Sequence, residues 1–246
     1  MGPFLPSRGT QTHPGHEAKF FYTPRVESDA GMDPRHTGMI QDSNRSFSAL
    51  EREPALRIRL ADLCEEGWEI WARFDRSKGV DEFHPFIAAD YEAVLNTLLP
   101  FRAPGVRFLE WGSASGVVTI MADLLGFQAF GIELDPELVS IARALAERVG
   151  SGATFTQGSF LPQGYRFRPP DGDGRLGTIG HGQSGYLQMG HPLDEFDLVF
   201  AFPWGGEEGL MLDLMAAYGG TDATLLLQTV NHGVKVYRRG RLVEGR

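Results

Sequence analysis

The most restrictive feature of the sequence is a regular alternation of strand-like and helix-like patterns after residue 105. Short apolar runs predict buried strands at 106–111, 128–133, 153–157, 196–202 and 223–230. Helical spacing of apolar residues predicts the intervening helices at 117–125, 136–149 and 207–218. Parallel strands need such crossovers, and right-handed crossovers place helices on both faces of the sheet. The pattern predicts an α/β fold, a three-layer sandwich around a mostly parallel, doubly wound sheet.

The C-terminal end of this pattern is short. Only Asn231–Gly233 separate the fifth predicted strand from the next apolar run, 234–237. Three residues cannot hold a parallel crossover, so the next strand is expected to be antiparallel. A turn at Arg239-Gly240 then leads into 241–243, and the sheet is predicted to have a truncated C-terminal end.

The flanking segments differ in character from this core, 105–243. Residues 1–50 hold five prolines and five glycines without a period, which predicts an irregular or disordered tail. The rest of the chain, 51–246, is expected to form one domain, in which helices at 54–75 and 88–99 form a lead-in, 54–99. Residues 164–194 carry eight glycines and predict a flexible insertion.

Composition narrows the classes of function. The net charge of −9 argues against a general nucleic-acid surface, which needs clustered Lys and Arg. Cys64 is the single cysteine, so no disulfide forms within the chain, and no Cys/His spacing predicts a metal site. No apolar run approaches the ~20 residues of a membrane span. A cytoplasmic protein without a metal or a membrane contact is expected.

The turn between the first strand and its helix has the pattern of a cofactor loop. Gly112 and Gly116 allow a ligand to approach the backbone at the carboxyl edge of the sheet. The pattern is G-x-x-x-G with Ala114 in the middle, whereas a dinucleotide loop is G-x-G-x-x-G. The acid before it, Glu110, would repel a pyrophosphate and attract the ammonium group of a methionine moiety. The turn therefore favours S-adenosylmethionine over NAD.

Two further signals follow at the ends of the next strands. Glu133 ends the second strand and can accept both ribose hydroxyls, while Leu134 can flank an adenine. Asp135 is expected to cap the helix that begins at Pro136. After the third strand, Ser159 can form a hydrogen bond to an adenine, or the stretch is an ordinary turn.

The stretch 106–160 resembles motifs I to III of class I (Rossmann-like) S-adenosylmethionine-dependent methyltransferases, and the likeness extends over roughly 83–230. The resemblance implies a sheet of that type and S-adenosylmethionine as cofactor. Residues 83–91 resemble the entry segment of some non-SET protein lysine methyltransferases, which would place Phe86 and Asp90 near the methionine end. Ala114 and Ser159 depart from the family's usual glycine and acid. The candidate cofactor residues are Glu110, Trp111, Gly112, Ser113, Gly116, Glu133, Leu134, Gly158, Ser159, Phe160, Phe202 and Pro203.

The reactive pocket is expected at the end of the fourth strand. Pro203-Trp204 resembles the Pro-aromatic pair of the Asn/Asp-Pro-Pro-aromatic signature of amino-group methyltransferases, but Phe202 stands in the place of the Asn or Asp. Trp204 and Glu207 are the candidate catalytic residues, the first for stacking and the second as a hydrogen-bond acceptor. The alternative for Glu207 is a favourable interaction with the dipole of the following helix.

Three functions remain open at this point. The first is an active methyltransferase that transfers a methyl group in line to an unidentified nucleophile, a protein lysine or a small molecule. The second is a non-catalytic S-adenosylmethionine-binding module, in which an oligomer or a partner completes the short C-terminus. The third is an NAD- or nucleotide-sugar-dependent enzyme.

Overall fold

The computed structural model of the chain describes residues 50–77, 87–166, 182–204, 206–229 and 233–245. The predicted tail 1–50, apart from Leu50, and Phe86 lie outside the described residues. The first part of the predicted insertion is described as far as Arg166, and the description resumes at Gly182.

A seven-stranded sheet forms the centre of the fold, with the strand order β3-β2-β1-β4-β5-β6-β7. Strands β1 to β5 pair in parallel, and β6 and β7 pair antiparallel, as the three-residue connection before β6 predicts. The strand order reverses between β1 and β4, which is where ligands bind in doubly wound sheets. The strands are β1 (Arg107–Trp111), β2 (Gln128–Glu133), β3 (Thr154–Gln157), β4 (Leu198–Ala201), β5 (Thr224–Thr229), β6 (Gly233–Arg238) and β7 (Arg241–Gly245).

Six helices accompany these strands in the described part of the chain. They are α1 (Pro54–Ser77), α2 (Tyr91–Leu98), α3 (Val117–Leu124), α4 (Pro136–Val149), α5 (Gly185–Met189) and α6 (Glu208–Tyr218). The bounds of α4 follow from its sequence. Asp135 caps its start by accepting hydrogen bonds from the backbone N–H groups of Glu137 and Leu138, and Gly150 ends it in the left-handed conformation.

The sheet separates two apolar clusters, which confirms the three-layer arrangement. One face packs against α1 to α4, where Leu63, Val94 and Ala142 belong to one apolar cluster with Phe108 of β1. The other face packs against α5 and α6, where Tyr186 and Leu214 belong to a second apolar cluster with Leu109. These surfaces are called the α1–α4 face and the α5–α6 face below. Successive residues of β1 point to opposite faces, as the strand geometry requires.

The described end of the predicted insertion contains structure that the sequence pattern did not reveal. Helix α5 lies within 182–194 and is followed by a 3-10 turn at Leu193–Glu195. A helix of five residues shows only one turn and a half of apolar spacing, which is too short for a recognisable period. Its buried Tyr186 anchors this segment on the α5–α6 face. Among the described residues, none of the helices is long and apolar enough to cross a membrane.

Candidate cofactor and acceptor site

The glycine turn lies at the carboxyl end of β1. The backbone N–H groups of Gly112 and Ser113 both donate to Ile132 O of β2, at 2.9 and 3.0 Å. Gly112 has a φ of +69°, and no heavy atom lies within 4 Å of the position that a Cβ would take there. Gly116 also has a positive φ, but its Cβ would lie 2.6 Å from the Phe155 ring. The turn is therefore open to a ligand at Gly112 and closely packed at Gly116.

Glu110 is turned towards the start of α3. Its side chain is buried, and Oε2 accepts hydrogen bonds from both the backbone N–H, at 2.9 Å, and the hydroxyl of Thr119. Burial raises the pKa of Glu110 to about 8, although the bonds from Thr119 oppose this rise. The backbone N–H of Thr119, in the first turn of α3, is therefore not free for a ligand, because Glu110 takes that donor. The carboxyl group connects β1 to α3 beneath the glycine turn.

Glu133 differs from Glu110 in its exposure, since it is half-buried at the end of β2. Its Oε2 accepts from Ala114 N at 2.8 Å and its Oε1 from Asp135 N at 2.9 Å. Burial raises the pKa of Glu133, and these backbone donors oppose the rise. The bond to Ala114 N connects the glycine turn after β1 with the end of β2. Ala114 itself has a φ of 45°, which is rare for a residue with a Cβ. A carboxylate can accept about four hydrogen bonds, and the backbone N–H of Leu134 also acts on Glu133, so the group can still accept from a ligand hydroxyl.

The third predicted motif, Gly158 to Phe160, is covered by the end of the insertion. Ser159 N donates to Gln183 O, and Gly185 N donates to Ser159 O, both at 2.8 Å. A Cβ on Gly158 would lie 2.8 Å from the Cα of Gly185, so only glycine allows this approach. Ser159 therefore holds residues 183–185 through its backbone, in addition to any role of its hydroxyl.

Trp111 and Phe160 form an aromatic wall on the α5–α6 face. Their rings stack with centroids 5.6 Å apart, and Trp111 Nε1 donates to the hydroxyl of Tyr186 at 2.7 Å. Gly182 approaches Leu134, because a Cβ on Gly182 would lie 2.8 Å from Leu134 Cδ1. Sequence reasoning predicted Trp111, Phe160 and Leu134 but missed Tyr186, since one tyrosine in a glycine-rich stretch carries no periodic signal.

The loop after β4 holds the two candidate catalytic residues close together. The side chain of Glu207 is buried, and its Oε2 accepts from the backbone N–H of Trp204 at 2.8 Å. Glu207 N donates in turn to Trp204 O at 3.1 Å. Phe202, Pro203 and Trp204 are half-buried, and Phe202 packs against the cluster of the α1–α4 face. Glu207 precedes α6, which begins at Glu208, and it fixes the loop that carries Trp204.

Two other acids near the predicted site, Glu208 and Asp90, have structural partners. Glu208 contacts Lys235 Nζ at 3.1 Å and accepts from the hydroxyl of Tyr237, and these β6 partners lower its pKa. Asp90 caps α2 by accepting from Ala93 N at 3.0 Å, and its side chain is exposed. Asp90, which the resemblance would place near the methionine end, therefore has a capping role in the structure.

Four buried side-chain polar atoms have no hydrogen-bond partner in the part of the chain that the structure describes. They are Ser113 Oγ, Ser184 Oγ, Gln228 Oε1 and Thr229 Oγ1. Gln228 and Thr229 end β5, and no motif in the sequence drew attention to them. In the same part of the chain, no group of three or more His, Cys, Asp or Glu residues is arranged to hold a metal ion.

Comparison with known proteins gives sequence similarity over part of the chain. The chain is 31% identical over 107 residues to a ribosomal protein L11 methyltransferase of Thermus thermophilus, and the match covers 42% of each protein. A ribosomal protein L11 methyltransferase of Ralstonia pickettii is 39% identical over 62 residues, which cover 25% of this chain and 21% of that protein. The chain thus spans less than half the length of these curated relatives. No family model matches the chain.

Solved structures of similar proteins include an RNA methyltransferase from Salinibacter ruber in complex with S-adenosyl-L-homocysteine. It shares 17% sequence identity, with a TM-score of 0.39 over 58% of this chain and 76% of that one. At the level of the superfamily, the sequence similarity and the α/β sheet are those of class I S-adenosylmethionine-dependent methyltransferases. The cofactor of that class is S-adenosylmethionine.

Proposed function

We propose that this chain is an S-adenosylmethionine-dependent methyltransferase. The observation that carries this proposal is the contrast between its two motif acids. Glu110 occupies the Thr119 N–H of α3, a donor that a dinucleotide pyrophosphate would use, whereas Glu133 is half-buried and can still accept from a ribose hydroxyl. The third function, an NAD- or nucleotide-sugar-dependent enzyme, loses support for this reason.

The residues at the carboxyl edge fit S-adenosylmethionine. Gly112 leaves open space over the turn, and Ser113 and Ser184 each bury a hydroxyl oxygen that lacks a partner among the described residues. Glu133 would hold the ribose, and Leu134 and Phe160 would lie beside the adenine. The cofactor supplies a methyl group already activated as a sulfonium. The protein must therefore align the acceptor and match the charge of the site.

Glu110 has a positioning role in this proposal. Its carboxyl joins β1 to the first turn of α3, and the glycine turn lies between these two anchors. With a pKa of about 8, the group is mostly neutral at pH 7. A neutral carboxyl attracts an ammonium group only weakly, so the charge of Glu110 favours S-adenosylmethionine less than the sequence predicts. The contribution of Glu110 to the site is therefore structural, through the two hydrogen bonds that it accepts from Thr119.

The methyl acceptor would bind at the end of β4, beside Phe202 and Trp204. An aromatic wall can stack on an acceptor and attract a cationic group. Glu207 holds the backbone of this wall in place. The relatives methylate a ribosomal protein, as their names state, which favours a protein acceptor over a small molecule and a cytoplasmic location.

A non-catalytic binding module is the second candidate function. Phe202 offers no side-chain acceptor at the Asn/Asp position, and only three residues separate β5 from β6, which leaves no room for a crossover helix between these two strands. An oligomer or a protein partner would supply the missing wall in this alternative. Turnover without any partner would contradict it.

Calorimetric titration with S-adenosylmethionine, S-adenosylhomocysteine and NAD tests the proposal. We expect both adenosyl compounds to bind and NAD not to bind. Glu133→Ala removes hydrogen bonds between a carboxylate and two hydroxyls, so the affinity is expected to fall at least about tenfold. The matched control is Glu147→Ala, an exposed acid on α4, which should bind as the wild type does. Binding of NAD alone would refute the proposed cofactor.

Production of S-adenosylhomocysteine then separates the enzyme from the binding module. The purified chain would be incubated with S-adenosylmethionine and either ribosomal protein L11 or a panel of small amines. Turnover with L11 supports a protein acceptor, and turnover with an amine supports a small molecule. Tight binding with no turnover on either supports the module.

A further inference from the structure

Gln228 buries an amide oxygen for which the described residues offer no hydrogen bond. The residue is 4% exposed at the end of β5, and its Oε1 has no partner in the described part of the chain. Buried polar groups in proteins are nearly always paired, since an unpaired acceptor costs about 1–3 kcal/mol. A ligand that donates a hydrogen bond would remove this cost.

The strand register places Gln228 beside Phe202. Ala201 of β4 pairs with Leu227 of β5 in parallel, so the next residue of each strand, Phe202 and Gln228, follows at the same level. Neighbouring strands lie about 4.8 Å apart. Trp111 of β1 pairs with Ala201, so the open Gly112 follows at this level too. Gln228 is therefore next to the loop of the proposed acceptor site.

The alternation of side chains places Phe202 and Gln228 on the same side of the sheet. Phe200 and Leu226, two residues earlier on each strand, belong to the cluster of the α1–α4 face. Phe202 packs against the same cluster. Phe202 also stands where amino-group methyltransferases have an Asn or Asp. Strand β5 thus carries a side-chain amide, that of Gln228, next to the position at which β4 has Phe202.

We propose that Gln228 is the specificity-determining residue of the acceptor site, and that its Oε1 accepts a hydrogen bond from an N–H group of the methyl acceptor. This inference rests on the proposed function. It assigns an amino nitrogen as the class of nucleophile. The hydrogen bond orients the nitrogen lone pair towards the methyl carbon. The N–CH3 bond forms as the CH3–S bond breaks, and the extra proton on nitrogen then leaves to solvent, because an amide oxygen is too weak a base to keep it.

Sinefungin tests this assignment without knowledge of the natural acceptor. In this cofactor analogue, a carbon that bears an ammonium group replaces the sulfonium and its methyl, so its N–H groups project towards the acceptor. The measured quantity is the ratio of the Kd of S-adenosylhomocysteine to the Kd of sinefungin. Gln228→Leu should lower this ratio about tenfold, which is the effect of one hydrogen bond to a charged group. The affinity for S-adenosylhomocysteine should stay within about twofold of the wild type.

Two further variants make the comparison specific. Gln228→Glu keeps an acceptor and should retain or raise the ratio. Thr229→Val removes the neighbouring unpartnered hydroxyl, whose side chain points to the opposite face of β5, and should leave the ratio unchanged. An equal fall of the ratio in Thr229→Val and Gln228→Leu would overturn the assignment, since the effect would then belong to the whole strand end.

Thermal unfolding of the free protein provides a second readout. Gln228→Leu removes an acceptor that has no partner, so its melting temperature should equal or exceed that of the wild type. A lower melting temperature shows that the amide has a structural partner and overturns the proposal, as does an unchanged binding ratio in Gln228→Leu. If wild type binds neither adenosyl compound, the proposed function itself fails, and the role of Gln228 fails with it.

Discussion

The substitution Glu110→Gln tests how the buried carboxyl group beneath the glycine turn is held. Glutamine keeps an oxygen that can accept from the backbone N–H and the hydroxyl of Thr119, and its volume is nearly that of glutamate. The substitution removes the ability to ionise and replaces Oε1 by an NH2 group, whose effect on stability does not depend on pH. Any change in the pH dependence of stability therefore reports the titration of Glu110.

The size of the effect follows from the pKa of Glu110, which burial raises from its ordinary value of 4.5 to about 8. Between these values the folded chain keeps a proton that the unfolded chain has lost. The free energy of unfolding therefore falls as pH rises, by up to about 1.4 kcal/mol per pH unit. From pH 5 to pH 7 the wild type should lose about 2.5 kcal/mol through this group, and the glutamine variant should lose none of it.

The assay is urea denaturation of both proteins at pH 5, 6 and 7, followed by circular dichroism. All other groups titrate in both proteins, so the difference between the two curves isolates Glu110. Glu147→Gln, an exposed acid on α4, controls for the loss of one carboxyl group. If the stability difference between wild type and Glu110→Gln stays constant over this range, the carboxyl is not held neutral by burial, and the reasoning about its role is wrong.

Two further substitutions test the packing around the site. Tyr186→Phe leaves the buried Trp111 Nε1–H without its acceptor and should lower the free energy of unfolding by about 1–3 kcal/mol, measured by urea denaturation. Gly116→Ala adds a Cβ that meets the Phe155 ring in a left-handed conformation, and should lower it by about 2–4 kcal/mol. Gly150→Ala, also left-handed but with open space around it, should lower it by only about 1 kcal/mol, and equal losses at both glycines would contradict the packing argument.

The sequence predicted most of the fold because its elements carry strong local signals. Strand β2 and helix α4 have the predicted bounds, since an apolar run ends at Glu133 and Asp135-Pro136 begins a helix. Helix α5 was missed because its five residues span too little for a period. It is held by contacts with residues distant in the sequence on the same face of the sheet, such as that of Tyr186 with Trp111, which local sequence patterns do not encode.

The candidate site was less predictable than the fold, because spacing along the chain does not show which way a side chain turns. Glu110 and Glu133 both occupy motif positions, and sequence reasoning assigned both to the cofactor. The structure places Glu110 under α3 and leaves Glu133 half-buried at the edge. Gln228 belongs to no motif, and only the pairing of β4 with β5 brings it next to Phe202.

Unpaired polar atoms concentrate at one edge of this fold. Ser113 follows β1, Ser184 lies beside Ser159 after β3, and Gln228 ends β5, so three of the four such atoms in the described residues lie at or just beyond the carboxyl ends of parallel strands and are open to one ligand, whereas the fourth, on Thr229, points to the opposite face of β5 from Gln228. Each costs free energy in the ligand-free chain, and random imperfections of packing would be spread over the molecule. A cluster of unpaired polar groups in the free protein is expected where a ligand binds. The same edge lies at the reversal of strand order between β1 and β4. The strand order and the unpaired polar atoms thus independently indicate one binding site.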